Sequence, residues 1–201
     1  SYDFLIIGAG IVGLSAAYFL KKKNPTARIA VLEKGFLPSG ASTKNAGFAC
    51  FGSIAELEHD LESLGAQRTV ELVLKRFSGL QLLRQTLGDQ AIDYHEVGGY
   101  ELCFEAPDLE RINFFNDLLE PALGARPYSV VRNSGFGFSD RVHSMIKNAL
   151  EGTIDTGKMM AALQHLRHNK HEVVVFHVLD KATEVDFDFE DRPTIFRDLE
   201  S

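Results

Sequence analysis

The first 34 residues constrain the fold of this chain more than any other stretch. A continuous apolar run, Phe4 to Ile7, is followed at once by the segment Gly8-Ala9-Gly10-Ile11-Val12-Gly13. An apolar run of this kind is typical of a strand that is buried on both faces of a parallel sheet. Glycines at the first, third and sixth positions after such a strand form the pattern of a nucleotide-binding βαβ unit. We therefore expect a strand, a tight turn and a helix in this order.

Each glycine of the segment has its own expected role. Gly8 permits the sharp turn, Gly10 leaves room for a pyrophosphate against the backbone, and Gly13 lets a helix from about Val12 to Lys22 pack closely on the strand. That helix would direct its N-terminal N–H groups and its positive dipole end at the phosphates. The candidate nucleotide-binding residues here are Gly8, Ala9, Gly10, Ile11, Val12 and Gly13.

An acidic residue follows the second predicted strand. Ile29 to Leu32 is a short apolar run, and Glu33 stands directly after it, 20 residues beyond Gly13. A carboxylate at this point can accept hydrogen bonds from both ribose hydroxyls and would repel a 2′-phosphate, which disfavours NADP. A glycine-rich turn of no ligand significance is the alternative interpretation. The ordered succession of strand, glycines, helix, strand and acid favours a dinucleotide site.

The segment from Lys34 to Gly47 is rich in small and polar residues. Its hydroxyls, amide and cation suit hydrogen bonding to a phosphate or to a heteroaromatic ring. A surface loop without a ligand is the alternative that its composition leaves open.

Three segments together resemble the FAD-binding opening of the D-amino acid oxidase-like (DAO) family of FAD-dependent oxidoreductases: G-A-G-I-V-G-L-S-A-A-Y-F-L, V-L-E-K and G-A-S-T-K-N-A-G-F. The resemblance implies FAD as the cofactor, with the glycines, Glu33 and Lys34 at its ADP half. It assigns the flavin side to Ser42, Thr43, Lys44, Asn45, Ala46 and Gly47. We hypothesise that Lys44 stabilises anionic reduced flavin.

The resemblance also implies hydride transfer from a small-molecule amine or amino acid to the flavin, with few side chains doing chemistry. We therefore assign no catalytic residue. Arg132 or Arg141 could bind a substrate carboxylate, and nothing in the sequence selects either. Tyr94, His95 and Tyr100 could face a substrate, although a structural role is favoured for each.

The predicted fold class is α/β: a Rossmann-like FAD-binding βαβ domain with an inserted, incomplete α+β substrate domain. We expect the FAD-binding domain at 1–52 and 150–180, the partial substrate domain at 53–149, and an acidic tail at 181–201. The patterns in between predict a helical stretch at 53–87, a hairpin at 91–105, a helix at 109–123 broken by Pro121, a strand at 128–132, and a helix capped by Ser139 or Asp140 that runs to about Leu150.

The end of the chain carries a second resemblance. Asp155 is expected to cap a helix, which should lead into a strand of the nucleotide-binding sheet at 173–178. Residues from about 164 to 201 resemble the C-terminal part of a bacterial von Willebrand factor A-like family of unknown function, which suggests a fusion near Leu163. His165, His168 and His171 repeat every three residues and spread around a helix, so no metal site is expected.

The net charge and the cysteine content limit the classes of partner and of compartment that this protein can have. A net charge of −7 over 201 residues argues against nucleic acid or an anionic membrane, and no apolar run is long enough to span a bilayer comfortably. Cys50 and Cys103 lack metal or CxxC spacing, so we expect two buried free thiols in a cytoplasmic protein. An exposed sheet edge could support a homo-oligomer.

Two function classes remain open at this stage. One is an FAD-dependent oxidoreductase of the DAO type. The other is a truncated or chimeric nucleotide-binding module that lacks the second half of an active site and does not turn over.

Overall fold

The computed structural model describes residues 1–35, 40–132, 136–166 and 173–177. The chain divides into two compact units, one formed by Ser1–Lys44 with Leu163–Ser201 and the other by Asn45–Ala162. Each unit has its own sheet, so the two are described separately.

The first unit is built on three parallel strands in the order β1-β2-β8: β1 Phe4–Ile7, β2 Ile29–Glu33 and β8 Val173–His177. Helix α1, Ile11–Lys23, connects β1 to β2. Phe4 lies opposite Ile29 in the register, and Ile29 lies opposite Val173. The predicted strand, helix and strand are therefore present, and the predicted strand near 173 pairs with β2.

The prediction that β1 is buried on both faces is wrong. Leu5 is 61% exposed and Ile7 is 85% exposed, whereas Ile29 and Val31 in β2 are fully buried. The reason is position, because β2 lies between two strands while β1, among the described residues, pairs only with β2. An apolar run identifies a strand but does not reveal what covers it.

The second unit combines helices with an antiparallel sheet. The sheet has the order β4-β6-β5, and a separate two-stranded sheet joins β3 to β7. The elements of the second unit are β3 Phe48–Ala49, α2 Ile54–Leu64, α3 Ala66–Leu87, α4 Asp89–Ile92, β4 Gly99–Cys103, α5 Leu109–Leu123, β5 Tyr128–Arg132, β6 Ser144–Asn148, β7 Gly152–Thr153 and α6 Thr156–Leu166. The last of these helices continues into the first unit.

The core of this unit forms where α2, α3 and α5 pack on one face of the sheet. Its buried side chains are Phe51, Ile54, Leu57, Val73, Ile112, Phe115, Leu119, Tyr128 and Ile146. Asn116 of α5 joins helix to sheet, because its side chain exchanges two hydrogen bonds of 2.9 Å with the backbone of Tyr128.

The helix predicted from Ser139 or Asp140 to Leu150 is wrong. Ser144–Asn148 is the central strand of the antiparallel sheet, paired with both β4 and β5. The hairpin predicted at 91–105 is also wrong, because β4 pairs with this distant strand while residues 89–92 are helical. In both cases, pairing with a remote segment overrides the local pattern.

Two helix boundaries also differ from the prediction. Gly65, at a φ of +81°, separates α2 from α3 within the predicted helical stretch. Pro121 does not break α5, which continues to Leu123. Proline removes only the one hydrogen bond that its missing N–H would donate, and the helix ends soon afterwards with its C-cap Gly124, whose N–H donates to Glu120 O at 2.9 Å.

The return segment follows the prediction. Asp155 Oδ1 accepts the Lys158 N–H at 2.8 Å, as an N-cap of α6 should, and Met159 and Met160 are buried. Cys50 and Cys103 are free, but the expectation that both are buried is wrong, since Cys50 is exposed and Cys103 only partly buried. His168, His171 and the acidic tail at 181–201 lie outside the described residues.

Candidate functional site

The turn between β1 and α1 has the geometry of a nucleotide cradle. Gly8 adopts a φ of +94°, which a side chain would strain. A Cβ at Gly13 would overlap the Gly8 carbonyl oxygen, and a Cβ at Gly10 would stand 3.0 Å from the Ser42 hydroxyl. Glycine is therefore required at Gly8 by the backbone conformation, and at Gly10 and Gly13 it permits close packing.

Glu33 is bonded directly to this turn. Its Oε2 accepts the Ala9 N–H at 2.7 Å and its Oε1 accepts the Gly35 N–H at 3.2 Å. A carboxylate can accept about four hydrogen bonds, so the same group can hold the loop and bind ribose hydroxyls. The acid at the end of β2 thus lies beside the glycines, as the spacing predicts.

Ser42 approaches the start of α1 from 31 residues away. Its Oγ accepts the Ile11 N–H at 3.0 Å, while Leu14 N–H is bonded to Gly10 O within the helix. The N–H groups of Val12 and Gly13 lie in the first turn, where a helix has no carbonyl partner of its own to offer. These N–H groups can therefore donate hydrogen bonds to an anionic oxygen.

The remaining candidate residues fall into two groups. Thr43 and Lys44 form a turn in which both N–H groups donate to Gly40 O, at 3.0 and 3.1 Å, and Lys44 and Lys34 are exposed. Asn45, Ala46 and Gly47 belong to the second unit. The structure thus brings together the glycine segment, Glu33 and Ser42, and it assigns the end of the predicted flavin side to the other unit.

Gly47 is fixed by the backbone around it. It has a φ of +73°, its carbonyl accepts the Ile154 N–H at 2.8 Å, and a Cβ there would overlap the Ile154 carbonyl oxygen. With Asn45 and Ala46 it lines a polar pocket of about 380 Å³. The other lining residues are Asp93, His95, Thr153, Ile154, Asp155 and Thr156.

Asp93 pairs with two basic side chains at this pocket. Lys158 Nζ contacts one of its oxygens at 2.7 Å and His95 Nε2 contacts the other at 3.0 Å. The hydrogen bonds from Lys158 and then His95 hold the pKa of Asp93 below its ordinary value. All three side chains are well exposed, so the cluster is a solvated ion-pair network.

A second cavity, of about 540 Å³, lies within the second unit. We call it the acidic cavity, because three glutamates and no lysine or arginine are among its lining residues. They are Phe48, Cys50, Gly52, Ser53, Glu56, Val97, Gly98, Gly99, Tyr100, Glu101, Tyr128, Ile146, Asn148, Glu151 and Thr153.

Glu151 is the most buried of these carboxylates, at 6% exposure. Its Oε1 accepts N–H groups from Phe51 at 2.9 Å and Gly52 at 3.3 Å, and its Oε2 occupies the space that a side chain at Gly99 would need. Burial, followed by repulsion from Glu56, raises the pKa of Glu151.

The sequence patterns did not single out Glu151 or Asn148 as site residues. Glu151 was visible only as part of the return segment, and it reaches Phe51 across 100 residues. Tyr100, considered as a substrate-facing residue, does line the acidic cavity, and His95 lines the polar pocket. The buried Tyr94 ring packs instead under the Arg84 guanidinium, 3.9 Å from its centroid.

With this geometry established, comparison with known proteins gives the family. Residues 3–184 match the family described as DAO, FAD dependent oxidoreductase. The chain belongs to the DAO family. The match extends beyond Leu163, through β8, so DAO-type sequence continues past the point where the second resemblance begins.

The similarity to individual known proteins is modest. The chain is 28% identical over 143 residues to the sarcosine oxidase subunit beta of Arthrobacter sp, covering 62% of this chain and 35% of that protein. A 40-residue stretch is 55% identical to the thiamine thiazole synthase of Fusarium vanettenii, covering 20% of this chain and 12% of that protein.

Solved structures show the same fold. The glycine oxidase of Bacillus cereus superposes with a TM-score of 0.57 at 23% identity, covering 89% of this chain and 46% of that one. The L-proline dehydrogenase of P. horikoshii gives 0.60 at 16% identity, covering 89% and 44%. The chain therefore spans less than half of the length of these relatives. These matches confirm the predicted α/β fold class and, with the family, FAD as the cofactor.

The residues of the first unit fit the ADP half of FAD. The chain has glycines in the turn between β1 and α1 and near the start of α1, N–H groups in the first turn of that helix, and a carboxylate beside the loop, all of which would suit a pyrophosphate and a ribose. Among the described residues, no helix has both the length and the apolar character needed to cross a membrane. In that same part of the chain, no three His, Cys, Asp or Glu residues cluster as a metal site would.

Proposed function

We propose that this chain is the FAD-binding part of an oxidoreductase that oxidises an amine or an amino acid. The observation that carries the proposal is the Glu33 carboxylate, bonded to Ala9 inside a turn whose glycines a pyrophosphate would require. Sarcosine oxidase, glycine oxidase and L-proline dehydrogenase, the relatives named above, act by name on amines or amino acids, which supports this substrate class.

The residues that would hold FAD are those that the sequence indicates. Gly8, Ala9, Gly10, Ile11, Val12 and Gly13, with Glu33 and Lys34, would hold the ADP half. Ser42, Thr43, Lys44, Asn45, Ala46 and Gly47 would lie along the flavin side. Bound FAD would supply the acceptor for a hydride from the carbon that carries the amine.

The protein's own contribution is binding and orientation. The N–H groups at the start of α1 would neutralise pyrophosphate oxygens, and Glu33 would fix the ribose. The Ser42 hydroxyl accepts the Ile11 N–H, which would hold the helix start in place, and its O–H hydrogen would donate to a phosphate oxygen. We further propose that Lys44 stabilises anionic reduced flavin, so Lys44→Ala should lower the flavin reduction potential. An unchanged potential would contradict that role.

The second candidate is a module that binds FAD without turnover. The observation in its favour is the exposed apolar surface of β1, where Leu5 and Ile7 lack cover among the described residues. Among the described residues β1 also has one edge without a partner strand, and such an edge would pair with another strand or with a second copy of the chain. A concentration-dependent mass from sedimentation would support self-association, and a single monomer mass would contradict it.

One experiment separates the two candidates. The purified protein is incubated with FAD and its visible spectrum is recorded, followed by anaerobic addition of glycine, sarcosine, L-proline or other amines. Flavin bands that bleach support the oxidoreductase, and bands that persist with every amine support the module. An absence of bound flavin contradicts both.

A cytoplasmic location and a fusion near Leu163 are separate proposals. The parallel pairing of β8 with β2 and the family match to residue 184 favour one continuous DAO-type unit up to that point. A von Willebrand A-like origin for the last residues is a hypothesis that rests on sequence words alone.

A further inference from the structure

The acidic cavity has the size and the wall of a small-molecule site. Its volume of about 540 Å³ falls within the range of ligand pockets, roughly 300–1,000 Å³. Phe48, Tyr100, Tyr128, Val97 and Ile146 give it an apolar and aromatic wall. Phe48 is 71% exposed and directly follows Gly47, the last residue of the predicted flavin side.

The charge of the cavity has one sign. Glu56, Glu101 and Glu151 all line it, and each carboxylate is held by a backbone N–H: Ser53 to Glu56 at 2.9 Å, Ile54 to Glu101 at 3.0 Å, and Phe51 to Glu151 at 2.9 Å. These bonds fix the carboxylates in place, and none of them supplies a positive charge. Burial, and then repulsion from Glu151 and Glu56, raises the pKa of Cys50, which Arg76 opposes. Burial, and then repulsion from Glu151, raises the pKa of Tyr128.

The nearest cations are engaged elsewhere. Arg76 donates to the Phe51 carbonyl oxygen at 3.3 Å and pairs with Asp60 at 3.4 Å. The Lys147 ammonium lies 5.6 Å from the centre of the Tyr100 ring, where it forms a cation–π contact. Neither residue lines the cavity. The three carboxylates therefore line a space to which no lysine or arginine side chain contributes.

An unsatisfied donor belongs to a residue in the wall of the same cavity. Asn148 lines the cavity at only 3% exposure, and its Oδ1 accepts the Leu150 N–H at 3.1 Å. Its Nδ2 lies beside Glu151 and Tyr128, yet within the described residues it makes no hydrogen bond of ordinary geometry. A buried amide donor without a partner is costly, so a ligand oxygen here would be favoured.

We propose that the acidic cavity binds an organic ammonium ion that has an apolar body and a neutral hydrogen-bond acceptor, such as an amino alcohol or an amino amide. The ammonium meets the glutamates, the apolar body lies on the aromatic wall, and the acceptor takes the Asn148 N–H. A ligand carboxylate is disfavoured, because it would approach three fixed carboxylates without a lysine or arginine to receive it. That this ligand is the substrate rests on the proposed function, whereas its binding does not.

Three matched probes test this inference by calorimetry on the full chain without FAD. Phenylalaninol carries all three features, phenylalanine has a carboxylate in place of the hydroxymethyl group, and 3-phenyl-1-propanol lacks the amine. We expect phenylalaninol to bind at least roughly tenfold more tightly than either, the discrimination typical of one charged contact. The inference would be overturned if phenylalanine bound as tightly as phenylalaninol, or if neither of these two compounds bound.

Variants assign the binding to this cavity. Glu151→Gln and Glu101→Gln each keep an acceptor oxygen for the backbone but remove a charge, so each should weaken phenylalaninol roughly tenfold. Glu105→Gln, at an exposed glutamate outside the cavity, is the control and should bind like the parent. Unchanged affinity in both cavity variants would overturn the inference even if the ligand binds.

The outcome is separable from that of the proposed function. FAD affinity, measured on the same protein, reports on the glycine turn and Glu33 in the first unit. If phenylalaninol binds as stated and FAD does not, the cavity assignment stands and the proposed function fails. If FAD binds and phenylalaninol does not, the cavity assignment fails and the nucleotide site in the first unit stands.

Discussion

Gly13 shows how little space separates the helix from the strand at the nucleotide turn. A Cβ there would overlap the Gly8 carbonyl oxygen, which is backbone and cannot move aside as a side chain can. Gly13→Ala should therefore destabilise the protein by at least about 2 kcal/mol, the cost of overpacking a fixed contact. Urea unfolding measures this change.

Gly79 provides the matched control. It lies in helix α3, it is exposed, and a Cβ there would meet nothing within 4 Å. Gly79→Ala should stabilise the protein by about 0.5–1 kcal/mol, because alanine loses less backbone entropy in a helix. Equal effects at the two positions would show that Gly13 is not held against the turn as described.

The Glu151 carboxyl makes stability depend on pH. Burial raises its pKa in the folded protein above the ordinary value of about 4.3, so the folded state holds this proton more tightly than the unfolded state. The stability that the protonated Glu151 carboxyl contributes is therefore fully present below a pH of about 4.3, and it is lost as the pH rises through the pKa of the folded protein.

The free energy of unfolding of the parent, relative to Glu151→Gln, should accordingly fall between acidic and neutral pH. Urea unfolding at several pH values measures it, with Glu105→Gln as the reference for a surface charge change. A difference that grows with pH, or that stays flat, would contradict the buried position of Glu151.

At the scale of elements, the start of α6 tests the capping role of Asp155. Asp155 Oδ1 accepts the Lys158 N–H at 2.8 Å, as a helix cap does. Asp155→Ala should cost about 1 kcal/mol of stability and Asp155→Asn much less, since asparagine caps helices as well as aspartate. Thermal or urea unfolding distinguishes the two, and equal loss in both variants would argue for a charge requirement instead.

The elements that sequence predicted correctly are those whose cause is local. Gly8, Gly13 and Glu33 are related by spacing within one βαβ unit, so their positions follow from sequence alone. The strand at Ser144–Asn148 depends on β4 and β5, which pair with it from both sides, and no local pattern carries that information. The sequence patterns did not indicate Glu151 and Asn148 for the same reason. Both residues line the acidic cavity, which is assembled from segments far apart in the chain.

At the scale of the whole molecule, two units have different chemistry. The unit with Ser1–Lys44 carries the glycine turn, Glu33 and Ser42, which suit the ADP half of FAD. The unit with Asn45–Ala162 carries an apolar cavity of negative charge, which suits an organic cation. The proposed oxidation of an amine would need both a flavin and an amine, and each unit presents surface for one of them.

FAD affinity tests the central claim most directly. FAD is titrated into the parent, Glu33→Gln and Glu105→Gln, and binding is followed by calorimetry and by the flavin absorption bands, with urea unfolding as a check on folding. We predict that the parent and Glu105→Gln bind FAD alike, while Glu33→Gln, folded, binds roughly tenfold or more weakly. No FAD binding by the parent, or equal affinity in all three proteins, would contradict the assignment of Glu33 and the glycine turn as the nucleotide site.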